Sequence, residues 1–147
     1  MSVSAQILPA HHRYCDTLFV DAEECVQRRD WVAATAAFAH FRAQIDAHFD
    51  AEENLLFPAF EAATGMSMGP TQMMRHEHRQ MRSLLDQLAA ACVAHDDDEY
   101  SGAAETLLML MQQHNMKEEN ILYPMCDQSL GAEAEAIGAK LDAMLEK

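Results

Sequence analysis

Apolar residues recur through most of the chain at intervals of three and four, the spacing that places them on one face of an α-helix. The pattern predicts four long helices and a short amphipathic tail helix, at about residues 9–28, 31–63, 70–94, 98–128 and 132–146. Pro9 and Pro70 suit the first turns of helices, and Asp30 suits a helix cap. A glycine-rich break at 65–70 and an acidic turn at 95–98 separate the later helices.

Helices joined by such short connections pack as antiparallel neighbours. We therefore predict an all-α fold, an antiparallel up-down-up-down four-helix bundle with a short C-terminal helix. A single domain accounts for residues 1–147, with the core bundle at about 9–128. The composition agrees, because 50% of the residues are hydrophobic but only 7% are aromatic, and the abundant Ala, Leu, Met and Glu favour helices.

The helix faces predicted to point inward carry histidines and glutamates among their apolar residues. In the second, third and fourth helices these faces comprise Phe41, Ile45, His48, Glu52, Leu55 and Ala59; Met74, His78, Met81, Leu85, Leu88 and Cys92; and Leu107, Met111, His114, Glu118, Ile121 and Met125. A carboxylate buried without a partner is strongly unfavourable. The polar residues on these faces therefore need partners inside the core.

One set of polar residues occurs twice, and every matched position is displaced by 66 residues. The first copy comprises His12-Arg13, His48, Glu52-Glu53-Asn54, Leu56 and Pro58, and the second comprises His78-Arg79, His114, Glu118-Glu119-Asn120, Leu122 and Pro124. Chance does not readily repeat so many residues in one register, so we infer two helix pairs of one design that face each other. Four imidazoles and two carboxylates then converge, which by ligand type indicates a dinuclear iron site.

The spacing within each copy supports metal binding. A histidine and a glutamate four residues apart on a helix project to the same side and can reach a common centre. A single pair would be weak evidence of metal binding, since helices often place His and Glu at this spacing. Two copies within apolar helix faces are strong evidence. The predicted metal ligands are His12, His48, Glu52, His78, His114 and Glu118.

These motifs resemble those of the hemerythrin-like family, also called the HHE cation-binding domain, over about residues 9–128. The segments Glu-Glu-x-x-Leu-Phe-Pro at 52–58 and Glu-Glu-x-x-Leu-Tyr-Pro at 118–124 are typical of that family. The resemblance implies two iron ions, bridged by Glu52 and Glu118 and by an oxo or hydroxo group. The ferritin-like alternative uses Glu-x-x-His pairs, and the sequence contains none.

One feature departs from the oxygen-carrying hemerythrins, which use a fifth histidine in a His-x3-His pair on the third helix. Met74 stands four residues before His78, and Arg82 stands four residues after it. Carriers also usually place an aspartate five residues after the last histidine, whereas Glu118 follows His114 by four. Two histidines for each iron would leave an open position on both metals, which favours binding of an exogenous ligand.

The remaining histidines are not predicted to be ligands. His11 and His76 neighbour ligand positions, but the 66-residue match selects His12 and His78 instead. We expect His40 to lie in the core or near the ligands, and His95 to be solvated in its acidic turn.

The roles of three glutamates beside the predicted ligands have two interpretations. Glu53 and Glu119 point about 100° away from the neighbouring ligand positions, which favours a solvated face. Alternatively, they accept hydrogen bonds from ligand imidazoles, whose second ring nitrogen usually needs an acceptor. Glu77 is similar and could relay protons at the mouth of the site.

Charge and cysteine usage limit the partners and the location. The formal net charge of −14 argues against nucleic acid or an anionic membrane as a partner. The sequence has no signal peptide pattern and no apolar run long enough to span a membrane. Cys15, Cys25, Cys92 and Cys126 form no disulfide or zinc pattern, so we expect free thiols in a reducing compartment and predict a cytoplasmic protein.

The sequence therefore predicts a cytoplasmic non-haem di-iron protein that binds a small diatomic ligand, O2 or NO, as a sensor, scavenger or store. The alternative is a di-iron enzyme with a redox partner, which reduces NO or peroxide or donates iron for iron–sulfur cluster repair. A structural bundle with adventitious zinc is a third reading. We favour a binding protein over an oxidoreductase and assign no catalytic residue, and the oligomeric state stays open.

Overall fold

A computed structural model describes residues 7–145, and within that range it contains helices and no strand. The α-helices are α1 (Leu8–Gln27), α2 (Trp31–Ala51), α3 (Phe57–Thr64), α4 (Pro70–Ala94), α5 (Asp97–Lys117), α6 (Tyr123–Leu130) and α7 (Ala134–Met144). α1 packs along α2, α4 packs along α5, and these two hairpins pack together through α2 with α4 and α1 with α5. The predicted all-α four-helix bundle is confirmed.

The internal repeat extends into the connections between helices. α1 and α4 both end at a left-handed residue, Arg29 with φ 55° and His95 with φ 52°. The next residue in each copy, Asp30 or Asp96, donates its backbone N–H back into the ending helix and caps the following helix with its side chain. The two hairpins therefore turn by the same local device, which fixes their helices in matching positions.

α2 and α5 each end at the residue before the motif glutamate, Glu52 or Glu118, where a π-helical segment starts. Five-residue π-helical segments, at Glu52–Leu56 and Glu118–Leu122, separate α2 from α3 and α5 from α6. Each segment ends two residues before a proline, Pro58 or Pro124, which has no N–H to donate to the preceding turn. A proline at such a position can kink or end a helix. Here the chain continues into α3 and α6 after symmetric π-helical turns.

The π-helical turns correct the predicted inner faces beyond the two motif glutamates. A π turn holds an extra residue, so the side chains that follow are rotated relative to a continuous α-helix. Ile121 was predicted to face inward, but its side chain is 57% exposed. Leu55, Ala59 and Met125 are only partly buried. The fully buried positions are instead Leu56, Phe57, Phe60, Leu122, Tyr123 and Cys126.

Two apolar clusters fill the bundle, one on each side of a polar layer. The first contains Phe41, Ile45, Met81, Leu85, Leu107 and Met111, and the second contains Leu8, Leu56, Phe57, Met74, Leu122 and Tyr123, together with residues of α7. On each long helix the predicted ligands lie between residues of the first cluster and residues of the second. The polar layer is therefore sealed above and below by side chains that exclude water.

The tail helix covers the second apolar cluster. Ile137, Leu141 and Leu145 are buried there, as the amphipathic pattern predicted, while residues 146–147 of the predicted tail lie outside the described range. All four cysteines are free thiols and are buried. Among the described residues, no helix is long and apolar enough to cross a membrane.

The capping aspartates give a direct test of the turn between the two helices of a hairpin. Asp96 accepts a hydrogen bond from the backbone N–H of Glu99 at 3.0 Å. Asp96→Ala removes this cap, and we expect a loss of about 1 kcal/mol in the free energy of unfolding, or roughly 3 °C in melting temperature. Asp96→Ser keeps an oxygen acceptor and serves as the control, which should melt within about 1 °C of the unmodified protein. Equal losses in both variants would contradict the assigned cap.

Candidate metal centre

The six predicted ligands converge in the polar layer between the apolar clusters. Their side chains are almost completely buried, with His12 at 3% and His114 at 2% exposure and the other four at 0%. They form two overlapping groups that share Glu118 and whose donor atoms lie within 4.8 Å of one another. One group is Glu52, His78, His114 and Glu118, and the other is His12, His48 and Glu118.

Each of the two buried glutamates contacts histidines of both sequence repeats. Glu118 lies 3.2 Å from His114 on its own helix and 3.2 Å from His12 of the first repeat. Glu52 lies 3.7 Å from His48 on its own helix and 3.2 Å from His78 of the second repeat. The Nε2 atom of the imidazole is the facing atom in all four contacts. The carboxylates therefore occupy the shared centre of the cluster, with imidazoles around them.

Glu53, Glu77 and Glu119 hold three of the imidazoles from outside. The Nδ1 atom of His78 lies 2.6 Å from Glu53, and the Nδ1 atom of His12 lies 2.7 Å from Glu119. Glu77 contacts the Nδ1 atom of His114 at 2.8 Å. The favoured reading of Glu53 and Glu119 as a solvated face is therefore wrong, and the alternative, that they accept from ligand imidazoles, describes the structure. An Nδ1–H that donates to a carboxylate fixes the ring and leaves Nε2 turned to the centre.

Basic side chains support two of these outer carboxylates, Glu53 and Glu77. Arg82 donates to Glu53 at 2.8 Å and to Asp50 at 3.0 Å, and Lys117 donates to Glu77 at 2.5 Å. A charge-assisted bond on both sides restricts each glutamate to one orientation. Arg82, which stands four residues after His78, thus acts on the site through Glu53.

The fourth imidazole has a different partner. The Nδ1 atom of His48 lies 2.8 Å from Nδ1 of His11, and Nε2 of His11 lies 3.3 Å from the side-chain oxygen of Gln44. His11 was not predicted to be a ligand, and the structure places it behind one. It was overlooked because the 66-residue match pairs it with Glu77, a residue of another type. The same comparison relates the two positions by role, because His11 contacts His48 of α2 and Glu77 contacts His114 of α5.

Tyr123 is a central residue that the sequence analysis missed. Its hydroxyl donates to Glu52 at 2.7 Å or to Glu118 at 3.0 Å, and its ring is fully buried. The side chain follows Glu118 by five residues, which would place it on another face of a regular α-helix. The π-helical turn brings it back toward the centre. The equivalent residue in the first repeat is Phe57, whose ring stacks beside His78 with 5.8 Å between centroids.

Burial and mutual charge set the protonation of the donors. Burial raises the pKa of Glu52, and the charge of Glu118 raises it further, to about 7. Burial alone would lower the pKa of His12, but hydrogen bonds to Glu118 and Glu119 outweigh it and raise the pKa to about 9. Burial and the charge of His12 hold the pKa of His48 well below its usual range. In the absence of a metal, protons must therefore balance the buried carboxylates.

The donor set has the chemistry of a metal site. Among the described residues, Glu52 Oε1 and Glu118 Oε2 are the buried side-chain oxygens without a hydrogen-bond partner. Glu52 Oε1 lies 3.2 Å from Nε2 of His78, whose other nitrogen contacts Glu53. When Nδ1 carries the imidazole proton, this contact brings a carboxylate oxygen against a nitrogen lone pair. A metal cation between them, or an added proton when no metal is bound, makes that arrangement favourable.

Comparison with known proteins agrees with this geometry. The family model described as the hemerythrin HHE cation binding domain matches residues 3–126. The chain belongs to the hemerythrin HHE cation-binding family. Neither a curated protein nor a solved structure matches the chain. The hemerythrin HHE match covers both sequence repeats and all six converging donors, and the buried His/Glu cluster is of a kind that could hold a metal ion.

Other histidines of this HHE domain lie away from the donors. His76 is exposed, in agreement with the choice of His78 by the repeat. His40 is also exposed, where it contacts Tyr14 at 3.4 Å, so the expectation that it lies in the core or near the ligands is wrong. His95 is exposed and stacks on Trp31, with 5.2 Å between ring centroids.

One surface pocket approaches the centre of the HHE domain. It has a volume of about 430 Å³ and is lined by residues of α1, α5 and the second π-helical segment, with His12 and Glu119 among them. His12 is thus the donor nearest to solvent, and its ring lies beside that of His48, with 4.4 Å between the centroids. Small molecules and water would reach the buried layer from this side.

The buried donors make the stability of the HHE domain depend on metal. Without metal, two carboxylates and four imidazoles remain crowded in the core, and a bound cation removes that cost. We expect iron-loaded protein to melt at least about 10 °C above metal-free protein at neutral pH, because binding contributes several kcal/mol. His76→Ala, at an exposed histidine, should keep the full difference. Equal melting temperatures with and without metal would contradict this assignment.

Proposed function

We propose that the chain is a non-haem di-iron protein that binds a small diatomic ligand, O2 or NO. The observation that carries the proposal is the burial of all six donors, which are at most 3% exposed. A ligand that reaches them must be very small. We propose His12, His48, Glu52, His78, His114 and Glu118 as the metal ligands.

The donor types support iron. Two imidazoles for each metal, together with shared carboxylates, form a mixed nitrogen and oxygen donor set. Such a set suits non-haem iron, whereas structural zinc sites commonly use cysteine thiolates. Glu52 and Glu118 are proposed to bridge the two ions, with an oxo or hydroxo group completing the bridge. When bound, the irons would supply redox-active positions with room for one exogenous ligand.

The protein residues have separate parts in this function. The two apolar clusters keep bulk water from the site, and the outer glutamates hold the imidazoles in one orientation. Tyr123 supplies a buried hydroxyl that can donate a hydrogen bond at the centre. The pocket beside His12 offers a path for a diatomic molecule. We propose a sensor, scavenger or store in the cytoplasm, where four free thiols would stay reduced.

A second candidate is an enzyme that reduces NO or peroxide with electrons from a redox partner. The position of Tyr123 favours this alternative, because both reductions consume protons and its hydroxyl lies within the dry site, although burial and the two carboxylates raise its pKa and make it a weak acid. Donation of iron for iron–sulfur cluster repair gains no support from the described residues. A binding protein remains the proposal, since the Tyr123 hydroxyl is fully buried and donates its hydrogen bond to Glu52 or Glu118.

Metal stoichiometry tests the ligand assignment. We expect iron-reconstituted protein to hold two ions per chain and His78→Ala to hold fewer, because that substitution removes a donor from the four-residue group. His76→Ala removes an exposed histidine two residues away and should retain both ions. The iron content of desalted protein measures this. Two ions retained after His78→Ala would reject the proposed site.

Gas binding separates the two candidate functions. We expect anaerobic ferrous protein to form an optical adduct with O2 or NO at a ratio near one per site, without sustained consumption of the gas. Tyr123→Phe, which mimics Phe57 of the first repeat, should change the stability of the adduct but not its formation. Continuous NO or peroxide consumption with an added reductant, abolished by Tyr123→Phe, would instead favour the enzyme. Absence of any adduct would exclude the binding proposal.

A further inference from the structure

We propose that the two metal positions are unequal, that the position at His12 and His48 binds metal more weakly, and that His11 is the positioning residue responsible. The inference rests on the proposed dinuclear centre and deepens it. It predicts that the centre loads in order, first between Glu52, His78, His114 and Glu118 and then beside His12 and His48. Three features of the structure favour this order.

The first feature is the unequal number of donors. Glu52, His78, His114 and Glu118 bring four donor atoms within 4.8 Å of one another, whereas His12 and His48 share only Glu118 with them in the second group. Glu52 Oε1 lies 3.7 Å from Nε2 of His48 but 3.2 Å from Nε2 of His78. Glu52 is therefore displaced toward the second repeat, whereas Glu118 lies 3.2 Å from both His12 and His114.

The second feature is an exception to the repeat directly behind the ligands. Positions 11 and 77 are equivalent, and both contact Nδ1 of a proposed ligand at 2.8 Å, His11 to His48 and Glu77 to His114. The rings of His11 and His48 lie within 8° of parallel, with centroids 5.0 Å apart, so the two nitrogens face each other nearly in the ring plane. His48 therefore has an imidazole partner where His114 has a carboxylate.

The hydrogen-bond chain through His11 defines its protonation. If His48 uses Nε2 for the metal, its Nδ1–H donates to Nδ1 of His11. Nε2–H of His11 then donates to the side-chain oxygen of Gln44, at 3.3 Å. Every proton in this chain has an acceptor while both imidazoles remain neutral. A carboxylate behind a ligand imidazole makes it a stronger donor, and changes at such partners typically alter metal affinity by roughly 10–100-fold.

The third feature is Tyr123, which faces the same position. Its hydroxyl lies 3.3 Å from Nε2 of His12 and 3.4 Å from Nε2 of His48. A metal that binds these two nitrogens must displace the hydroxyl from them. The equivalent residue beside His78 is Phe57, which has no hydroxyl to displace. The imidazole partner, in place of a carboxylate, and the competing hydroxyl thus both weaken the position at His12 and His48.

The experiment is an anaerobic Fe²⁺ titration of metal-free full-length protein against a competing chelator. We expect two binding steps of one ion each, separated by roughly 10–100-fold in affinity. Diffraction at the iron edge from crystals loaded with one equivalent should locate that ion among Glu52, His78, His114 and Glu118. An ion found first between His12 and His48 would overturn the order.

Exchanging the outer partners tests the role of His11. His11→Glu places in the first repeat the residue that the second repeat has, and should strengthen the weaker step until the two steps approach each other. Glu77→His is the matched exchange and should weaken the stronger step. His11→Gln keeps a neutral acceptor, so a folded protein with unchanged separation of steps is expected. If His11→Glu does not fold, a converging pair of steps in Glu77→His supports the proposal and unchanged steps reject it.

The outcomes distinguish this inference from the proposed function. Two ions that bind the unmodified protein with equal affinity overturn the inference and leave the dinuclear centre intact. A folded His11→Glu variant with the original separation of steps also overturns the role of His11. A single ion at saturating Fe²⁺, in both the unmodified protein and His11→Glu, would instead reject the dinuclear centre and with it the inference.

Discussion

The structure depends on two carboxylates buried in the middle of a helical bundle. Glu52 and Glu118 are fully buried, and each retains an oxygen without a hydrogen-bond partner. Burial of a charge is tolerated only with a counter-charge, so the rest of the polar layer is arranged around these two groups. Imidazoles surround them, and outer glutamates and basic side chains hold the imidazoles. The arrangement requires positive charge beside the two carboxylates. The side chains can supply that charge only by taking up protons, so a bound cation completes the layer.

Much of the fold was predictable because the local signals agree with one another. Prolines at first turns, capping aspartates and a glycine-rich break define the same helices that the apolar spacing defines. The six donors were also predictable, since the repeat places them in register. Whether they bind metal is a matter of chemistry that spacing alone cannot decide.

The errors in the sequence-based prediction have one local cause and one global cause. The local cause is the π-helical turn, which rotates all later side chains, exposes Ile121 and turns Tyr123 inward. A proline two residues later is compatible with a kink, a helix end or a π turn, so the sequence does not distinguish them. The global cause is packing between helices, which decides that Glu53 and Glu119 meet imidazoles rather than solvent.

The reciprocal contacts of Glu53 with His78 and of Glu119 with His12 have a further consequence. Each half of the chain orients a histidine of the other half, as the subunits of an isologous dimer do across a two-fold axis. The polypeptide is in this sense a covalently joined pair. Joining the halves frees equivalent positions from having to remain identical, because each can now change by itself. A true homodimer could not place histidine at one such position and glutamate at the other.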